Sequence, residues 1–286
     1  MGKPLAPLPT FKLYEGSPEL VRIHDKIRRG PLCEQDEYLE FWWFSREYPR
    51  VYRHHLDHAE YRLSAIQRAF QEHHANAATL IDREFEHWNH GTSTYWEYAY
   101  RDPTVPPIYW DFESYLQAIS SALDIAARIV GTVYKQNTPP NFNRFCKKAP
   151  DGDLKDLFIR AKGLWVERMK EYRDCFTHFT PAETFLTLHV KQYANEFQLR
   201  GNIPVNPQAR DILDFRYSRR VELFHYATTV WKHMVAFDRA VATLLWRQYK
   251  GGTYPQQLTG LFFLGQRTKS LREQDMPVEK DGSAAG

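Results

Sequence analysis

The residues of this chain whose types and spacing could do chemistry stand together at the end of one predicted helix. Arg173 and Asp174 are followed by His178, and Thr180-Pro181 comes directly after them. A guanidinium stays positively charged, while an imidazole gains or loses a proton near neutral pH. Exposed at a helix end with a packed face behind them, these groups are a candidate functional site. The alternative interpretation is that Arg173 and His178 only contact the carbonyl groups at the helix end.

The element that must position these groups is an amphipathic helix. Pro181 ends it, because proline has no backbone N–H and restricts the residue before it. Apolar residues recur at three- and four-residue steps, so they share one face and predict a helix within residues 154–181. These residues are Leu154, Leu157, Phe158, Ala161, Leu164, Trp165, Met169, Tyr172 and Phe176.

The remaining pattern predicts further helices and little else. Apolar stripes and capping residues predict helices that begin at Ser17-Pro18-Glu19 and that cover residues 34–45, 52–88, 111–135 and 217–249. Residues 94–107 are interpreted as a connection and residues 141–150 as a loop. Alternating residues in 184–190 and 193–199 predict a small hairpin. The predicted fold class is all-α: an antiparallel helical bundle with a β-hairpin insertion near 184–200 and a helical N-terminal extension.

The distribution of aromatic residues and prolines predicts three consecutive segments. Residues 1–105 are an aromatic-rich helical extension, residues 106–252 are the bundle, and residues 253–286 are a flexible tail.

Composition is typical of a soluble globular protein. The 286 residues are 43% hydrophobic and 26% charged, and the net charge of +3 neither demands nor excludes a nucleic acid partner. Three scattered cysteines, Cys33, Cys146 and Cys175, favour a reducing compartment. The chain has neither the apolar segment of a signal peptide nor a membrane-spanning run, so we expect a cytoplasmic protein without a membrane partner.

The sequence offers two possible metal sites, and both are weaker interpretations than a protein without a cofactor. His54 and His58 are one turn apart beside Asp57, but the apolar stripe of their helix leaves them on a polar face. Glu-x-x-His occurs at Glu84–His87 and again at Glu222–His225. With Glu113 and either Glu167 or Glu171 these pairs resemble a di-metal carboxylate bundle, in which the helices would have to follow a different order. We therefore predict no cofactor and no metal ligand.

Three pieces of the chain together resemble a known domain. They are the helix of residues 112–124, the helix that ends in residues 172–178, and the closing helix from Tyr217. Together they look like a HEPN domain, a helical-bundle superfamily found in bacterial toxins and defence proteins. The motif of that superfamily is an Arg, an adjacent polar residue and a His after four to six intervening residues. Arg173, Asp174 and His178 match it, and the resemblance covers roughly residues 111–249.

What the resemblance implies is a metal-independent endoribonuclease in which two copies of the chain share one cleft. Arg173 would hold the scissile phosphate, His178 would move protons, and Asp174 would orient its partners. Lys170 would add an RNA contact. Arg216, Arg219 and Arg220 stand at the predicted start of the last helix, where cations oppose the helix dipole. This placement suggests contact with RNA phosphates or with the acids of a partner, although a solvated basic face remains an alternative.

A second function class fits the same fold. A non-catalytic interaction or scaffold protein would use the same bundle, with the aromatic N-terminal region docking a protein partner.

Overall fold

The structure is a computed structural model that describes residues 16–29, 47–88, 95–133, 141–178, 186–191 and 196–251. Most of these residues are helical, which confirms a mostly α-helical protein. No helix within the described ranges is long and apolar enough to cross a membrane. The predicted helix at residues 34–45 and the predicted tail at residues 253–286 lie outside the described residues.

The helices follow the predicted pattern with shifted ends. In chain order they are α1 (Glu19–Arg28), α2 (Tyr48–Trp88), α3 (Pro106–Val133), α4 (Phe142–Lys148), α5 (Asp153–Ala161), α6 (Glu167–His178) and α7 (Leu223–Gly251). A single π-helical turn, Lys162–Val166, joins α5 to α6, so residues 153–178 form one continuous rod. Helix α3 begins at Pro106, before the predicted start, because proline fits the first turn of a helix without losing a hydrogen bond.

Four strands form one antiparallel sheet in the order β1-β2-β3-β4. They are β1 (Tyr95–Tyr100), β2 (Leu186–Lys191), β3 (Glu196–Pro204) and β4 (Tyr217–Glu222). Leu188 pairs with Tyr98 on one side and with Leu199 on the other. At Gly201 the sheet packs so closely that an added Cβ would lie 2.9 Å from Phe70 Cζ.

The sheet corrects the all-α prediction with its isolated hairpin. The two segments near 184–200 do pair antiparallel, but they are the middle strands of a larger sheet. Residues 95–100, which we expected to be a connection, and residues 217–222, which we expected to begin the last helix, are its outer strands. Aromatic and β-branched residues in these segments fit a strand as well as a helix, and the neighbouring strands supply the hydrogen bonds that decide between them.

The predicted loop at residues 141–150 is wrong, because it contains helix α4. The side-chain oxygen of Asn141 accepts a hydrogen bond from the backbone N–H of Arg144 at 2.8 Å and caps the first turn. Phe142 and Phe145 are buried against Phe158, with ring centroids 5.1 and 4.3 Å apart respectively. A helix of two turns is too short to show a clear apolar period, so its sequence resembles a loop.

The described residues form two compact units. One holds residues 16–18 with the described parts of 53–122 and 159–240, and it contains the whole sheet. The other holds the described parts of 19–52, 123–158 and 241–251. The predicted domain limits at residues 105 and 252 stay a prediction.

Candidate functional site

The candidate site lies along α6, which is anchored by its buried face. Met169, Tyr172, Cys175 and Phe176 are buried, and the ring of Phe176 meets that of Phe112 on α3 with centroids 5.2 Å apart. Burial raises the pKa of the Cys175 thiol to about 11, so this cysteine is an inert core residue. With this face fixed, Arg173, Asp174, Thr177 and His178 lie outside the buried face of the helix.

Arg173 is held in place from two directions. Its Nε and Nη2 atoms donate to Asp174 Oδ1 at 2.9 and 2.6 Å, and Nη1 donates to Ser120 Oγ on α3 at 2.7 Å. Ser120 is 3% exposed, whereas the Arg173 side chain is 30% exposed. The guanidinium is therefore fixed by one buried partner and one exposed partner, and it stays partly open to solvent. Of its five N–H groups, two keep no partner among the described residues.

The contact between α3 and α6 continues toward the end of α6 as a row of polar side chains. Thr177 Oγ1 donates to Glu113 Oε1 at 3.3 Å, and Gln117 Nε2 donates to the same oxygen at 3.1 Å. We call Glu113, Gln117, Ser120, Arg173, Asp174 and Thr177 the α3–α6 polar seam. Its pairs advance in opposite directions along the two helices, so α3 and α6 are antiparallel here.

His178 is exposed in the last turn of α6, apart from Arg173. The two residues are five positions apart, which on an α-helix means about 7.5 Å along the axis and about 140° around it. Within the described ranges no hydrogen bond or ion pair joins them. The structure thus brings Arg173 and Asp174 together and leaves His178 separate within one chain. The predicted exit at Thr180-Pro181 lies outside the described residues.

The predicted RNA contacts are divided between two places. Lys170 is half-buried on α6, one turn before Asp174. Arg216 and Arg220 are exposed in and beside β4, and the side chain of Arg219 is outside the described part of the structure.

The prediction that these arginines crowd the start of the last helix is wrong. Helix α7 begins at Leu223, and the carboxylate of Glu222 accepts hydrogen bonds from the backbone N–H groups of Phe224 and His225 at 2.9 and 2.6 Å. An acid at the N-terminus of α7 therefore complements the helix dipole. The arginines lie in or beside β4, before the first turn of α7, so they are not the helix-start cations that the sequence suggested.

A group of tyrosines behind α6 was not predicted as part of the site. Tyr172 Oη donates to the carbonyl of Pro204 at 2.6 Å, and the rings of Tyr172 and Tyr226 are 4.6 Å apart. Burial raises the pKa of Tyr172 to about 12, against the lowering influence of Arg168, and burial also raises the pKa of Tyr226, so both hydroxyls stay protonated. In the sequence Tyr172 belongs to an apolar stripe and Tyr226 to none, and only the assembled core shows that the two rings together support the helix carrying Arg173.

Arg168 is a second arginine that the sequence did not single out. Its guanidinium carbon lies 5.1 Å from the centroid of the Tyr172 ring, and it donates to Glu171 at 2.9 Å and to Gln208 at 3.1 Å. It also donates to the carbonyl of Val205. Because its guanidinium already donates to these three partners, Arg168 joins α6 to the segment after β3 and is not a free cation.

The histidine-rich part of α2 makes polar contacts instead of a metal site. Arg62 Nε donates to His58 Nε2 at 3.1 Å, and Arg62 Nη1 binds Asp111 at 2.7 Å. Burial first, and then the charge of Arg62, lowers the pKa of His58. Among the described residues no group of three or more His, Cys, Asp or Glu side chains could hold a metal ion.

The di-metal interpretation loses one of its residues. Glu222 uses both carboxylate oxygens on backbone N–H groups, and it also accepts from Gly201 N at 3.3 Å. The side chains of Glu84 and His87 are outside the described part of the chain.

In comparisons with known proteins, no protein family model, no curated protein and no solved structure matches this chain.

Proposed function

We propose that this chain is a HEPN-like protein that acts on RNA, as a metal-independent endoribonuclease in the form of a homodimer. In this proposal α3, α6 and α7 belong to an antiparallel bundle into which the sheet is inserted, preceded by a helical N-terminal extension. A cytoplasmic toxin or defence effector is the corresponding biological role. The observation that carries the proposal is the partly exposed guanidinium of Arg173, which Ser120 and Asp174 hold in place and which keeps two N–H groups without a partner among the described residues.

The proposed reaction uses the 2′-hydroxyl of RNA as its nucleophile. A base removes the proton of this hydroxyl, its oxygen attacks the adjacent phosphorus, and the bond from phosphorus to the 5′-oxygen breaks. The leaving oxygen takes a proton, so the products are a 2′,3′-cyclic phosphate and a 5′-hydroxyl. Arg173 would stabilise the charge on the phosphate oxygens with its two remaining N–H groups, and His178 would serve as base or acid.

The separation of Arg173 from His178 along α6 supports a shared site. Within one chain the two groups are on different sides of the helix, about a turn and a half apart. A twofold axis beside this helix would bring the end of α6 from a second copy close by, so that one chain supplies the arginine and the other the imidazole. Asp174 would hold the guanidinium at the correct angle.

The test is cleavage of a labelled single-stranded RNA in EDTA. We expect Arg173→Ala and His178→Ala each to abolish cleavage with unchanged helical circular dichroism. Arg160→Ala and His225→Ala are matched controls, because both residues are exposed and neither belongs to the polar seam, and they should cleave like the parent chain. Activity that survives both site substitutions, or that disappears with EDTA, contradicts the proposal.

A non-catalytic interaction protein is the second candidate. It is supported by the hydrogen bonds of Arg173 to Asp174 and Ser120, which leave only two of its five N–H groups for a substrate. In this case RNA or a protein partner would bind without cleavage, with residues 1–105 docking the protein partner. Removing residues 1–105 and measuring whether the partner is lost while RNA binding remains separates these roles.

A further inference from the structure

Two large aromatic side chains are exposed on neighbouring helices next to the polar seam. Trp110 on α3 is 64% exposed and Tyr61 on α2 is 59% exposed. Most other large aromatic residues of this unit, such as Tyr115 and Trp231, are buried, and Tyr98 on β1 is an exception at 52% exposed. Tryptophan and tyrosine at the surface are the residue types that most often dominate the energy of protein interfaces.

Trp110 stands at one end of an uncharged face. Residues at positions i, i+4, i+7 and i+11 share one side of a helix, and here they are Trp110, Ser114, Gln117 and Ser121. Trp110 and Gln117 are exposed, and the two serines are half-buried. We call these four residues the α3 face. Its small polar side chains would let another surface approach closely.

The α3 face lies between two arginines whose charges are already balanced. On one side Arg62 of α2 binds Asp111, the residue that follows Trp110, at 2.7 Å. On the other side Arg173 of α6 binds Asp174 at 2.6 Å. The Arg62 guanidinium carbon also lies 5.6 Å from the ring centroid of Tyr61. A docked surface would therefore cover two ion pairs and the Glu113 carboxylate, which accepts hydrogen bonds from Gln117 and Thr177, so none of these charges would be desolvated without a partner.

We propose that the α3 face, with Tyr61 and Arg62, is the surface through which two copies of this chain associate. In a twofold interface each patch meets its own copy, so a patch of strong net charge would repel itself. The paired charges and uncharged centre of this patch meet that condition. A polyanion such as RNA would instead favour a surplus of unpaired cations. This interface rests on the proposed function in one respect only, namely the consequence that the ends of α6 from the two copies meet.

The position of this patch explains how the proposed shared site could be built. Ser120, which accepts a hydrogen bond from Arg173, is on the same helix as Trp110. Glu113, one turn after Trp110 on that helix, accepts a hydrogen bond from Thr177, the residue before His178. Association through the α3 face would thus put the α6 segment of each chain at the border of the interface. Trp110 acts as an anchor and takes no part in the reaction.

The experiment is the molecular mass of the full-length protein by light scattering and sedimentation over a range of concentrations. We expect a dimer whose dissociation constant rises by about thirtyfold or more in Trp110→Ala, as for an interface anchor. Ser114→Arg should also give monomers, because it inserts a charge and bulk into the centre of the face. Leu213→Ala is the matched control, since Leu213 is 88% exposed elsewhere and should leave the dimer unchanged. Thermal unfolding checks that each variant is folded.

Three results would overturn the inference. The parent chain is a monomer at about 100 μM, or Trp110→Ala and Ser114→Arg both dimerise like the parent, or the parent is a monomer that binds single-stranded RNA through Trp110. RNA cleavage measured on the same samples keeps the two proposals apart. A Trp110-dependent dimer that never cleaves RNA supports the interface and refutes the nuclease. If cleavage needs Arg173 but the dimer forms equally well without Trp110, the nuclease is supported and the interface is refuted.

Discussion

Replacing Ser120 by alanine tests whether Arg173 is positioned as the structure shows. The substitution removes the hydroxyl that accepts from Arg173 Nη1 at 2.7 Å, in a place where Ser120 itself is 3% exposed. Hydrogen bonds to charged groups contribute about 1.5–3 kcal/mol to stability. Because the Arg173 side chain is 30% exposed and water can replace the lost acceptor, we expect a loss somewhat below this range, of about 1 kcal/mol. Ser121→Ala, on the adjacent residue, should cost less than about 0.5 kcal/mol.

A double-mutant cycle isolates the contact between these two side chains. The free energy of unfolding is measured by urea denaturation for the parent, Ser120→Ala, Arg173→Ala and the double variant. In the Arg173→Ala background, Ser120→Ala should cost close to nothing, which gives a coupling energy of about 1 kcal/mol. If the serine substitution costs the same with and without the arginine, Ser120 does not hold Arg173. The proposed role of α3 in aiming the guanidinium would then be refuted.

Three further predictions concern other parts of the fold. Glu222→Ala should lower the free energy of unfolding by about 2–3 kcal/mol, since three backbone N–H groups lose their acceptor; a urea midpoint close to that of the parent would contradict the cap. Gly201→Ala should cost about 1–3 kcal/mol by calorimetry, because its Cβ would lie 3.0 Å from Leu223 Cβ, while Gly163→Ala, which meets open space, should cost nothing. Burial is the main cause that lowers the pKa of His55 and His58 below the ordinary value of about 6.5. The unfolded chain therefore binds more protons below that pH, so stability should fall on acidification from pH 7 to 5, and less steeply in His58→Gln; equal slopes in urea titrations would be inconsistent with this cause.

The position of the candidate site along the chain could be predicted because its signals are local. A continuous apolar stripe from Leu154 to Phe176 predicts a helix, and the structure has one rod from Asp153 to His178 that contains a π turn. Side chains opposite that stripe must face outward, so the location of Arg173 and Asp174 followed from the helical period alone. Their partner Ser120 could not be predicted, because it depends on which face of α3 packs against α6.

The sheet shows where local signals are insufficient. Tyr217, Val221 and Phe224 match a helical stripe, yet residues 217–222 are a strand because β3 offers backbone partners at Asn202 and Pro204. Once that strand forms, Glu222 becomes the cap of α7. The basic residues before it are then part of the strand region and not of the helix start, where the sequence had placed them. A six-residue segment fits two periods equally well, so a contact far away in the chain makes the choice.

The sequence by itself determined a mostly helical protein and the order of its long helices, because apolar side chains at helical spacing have one efficient way to leave water. It also determined that an arginine, an aspartate and a histidine stand near one helix end. Only the tertiary structure decided that Ser120 fastens Arg173, that Glu222 caps α7, and that Trp110 and Tyr61 are exposed on neighbouring helices. Each of these features depends on how two elements are rotated relative to each other and how closely they pack. The periodic pattern of apolar residues along the chain carries no information about either quantity.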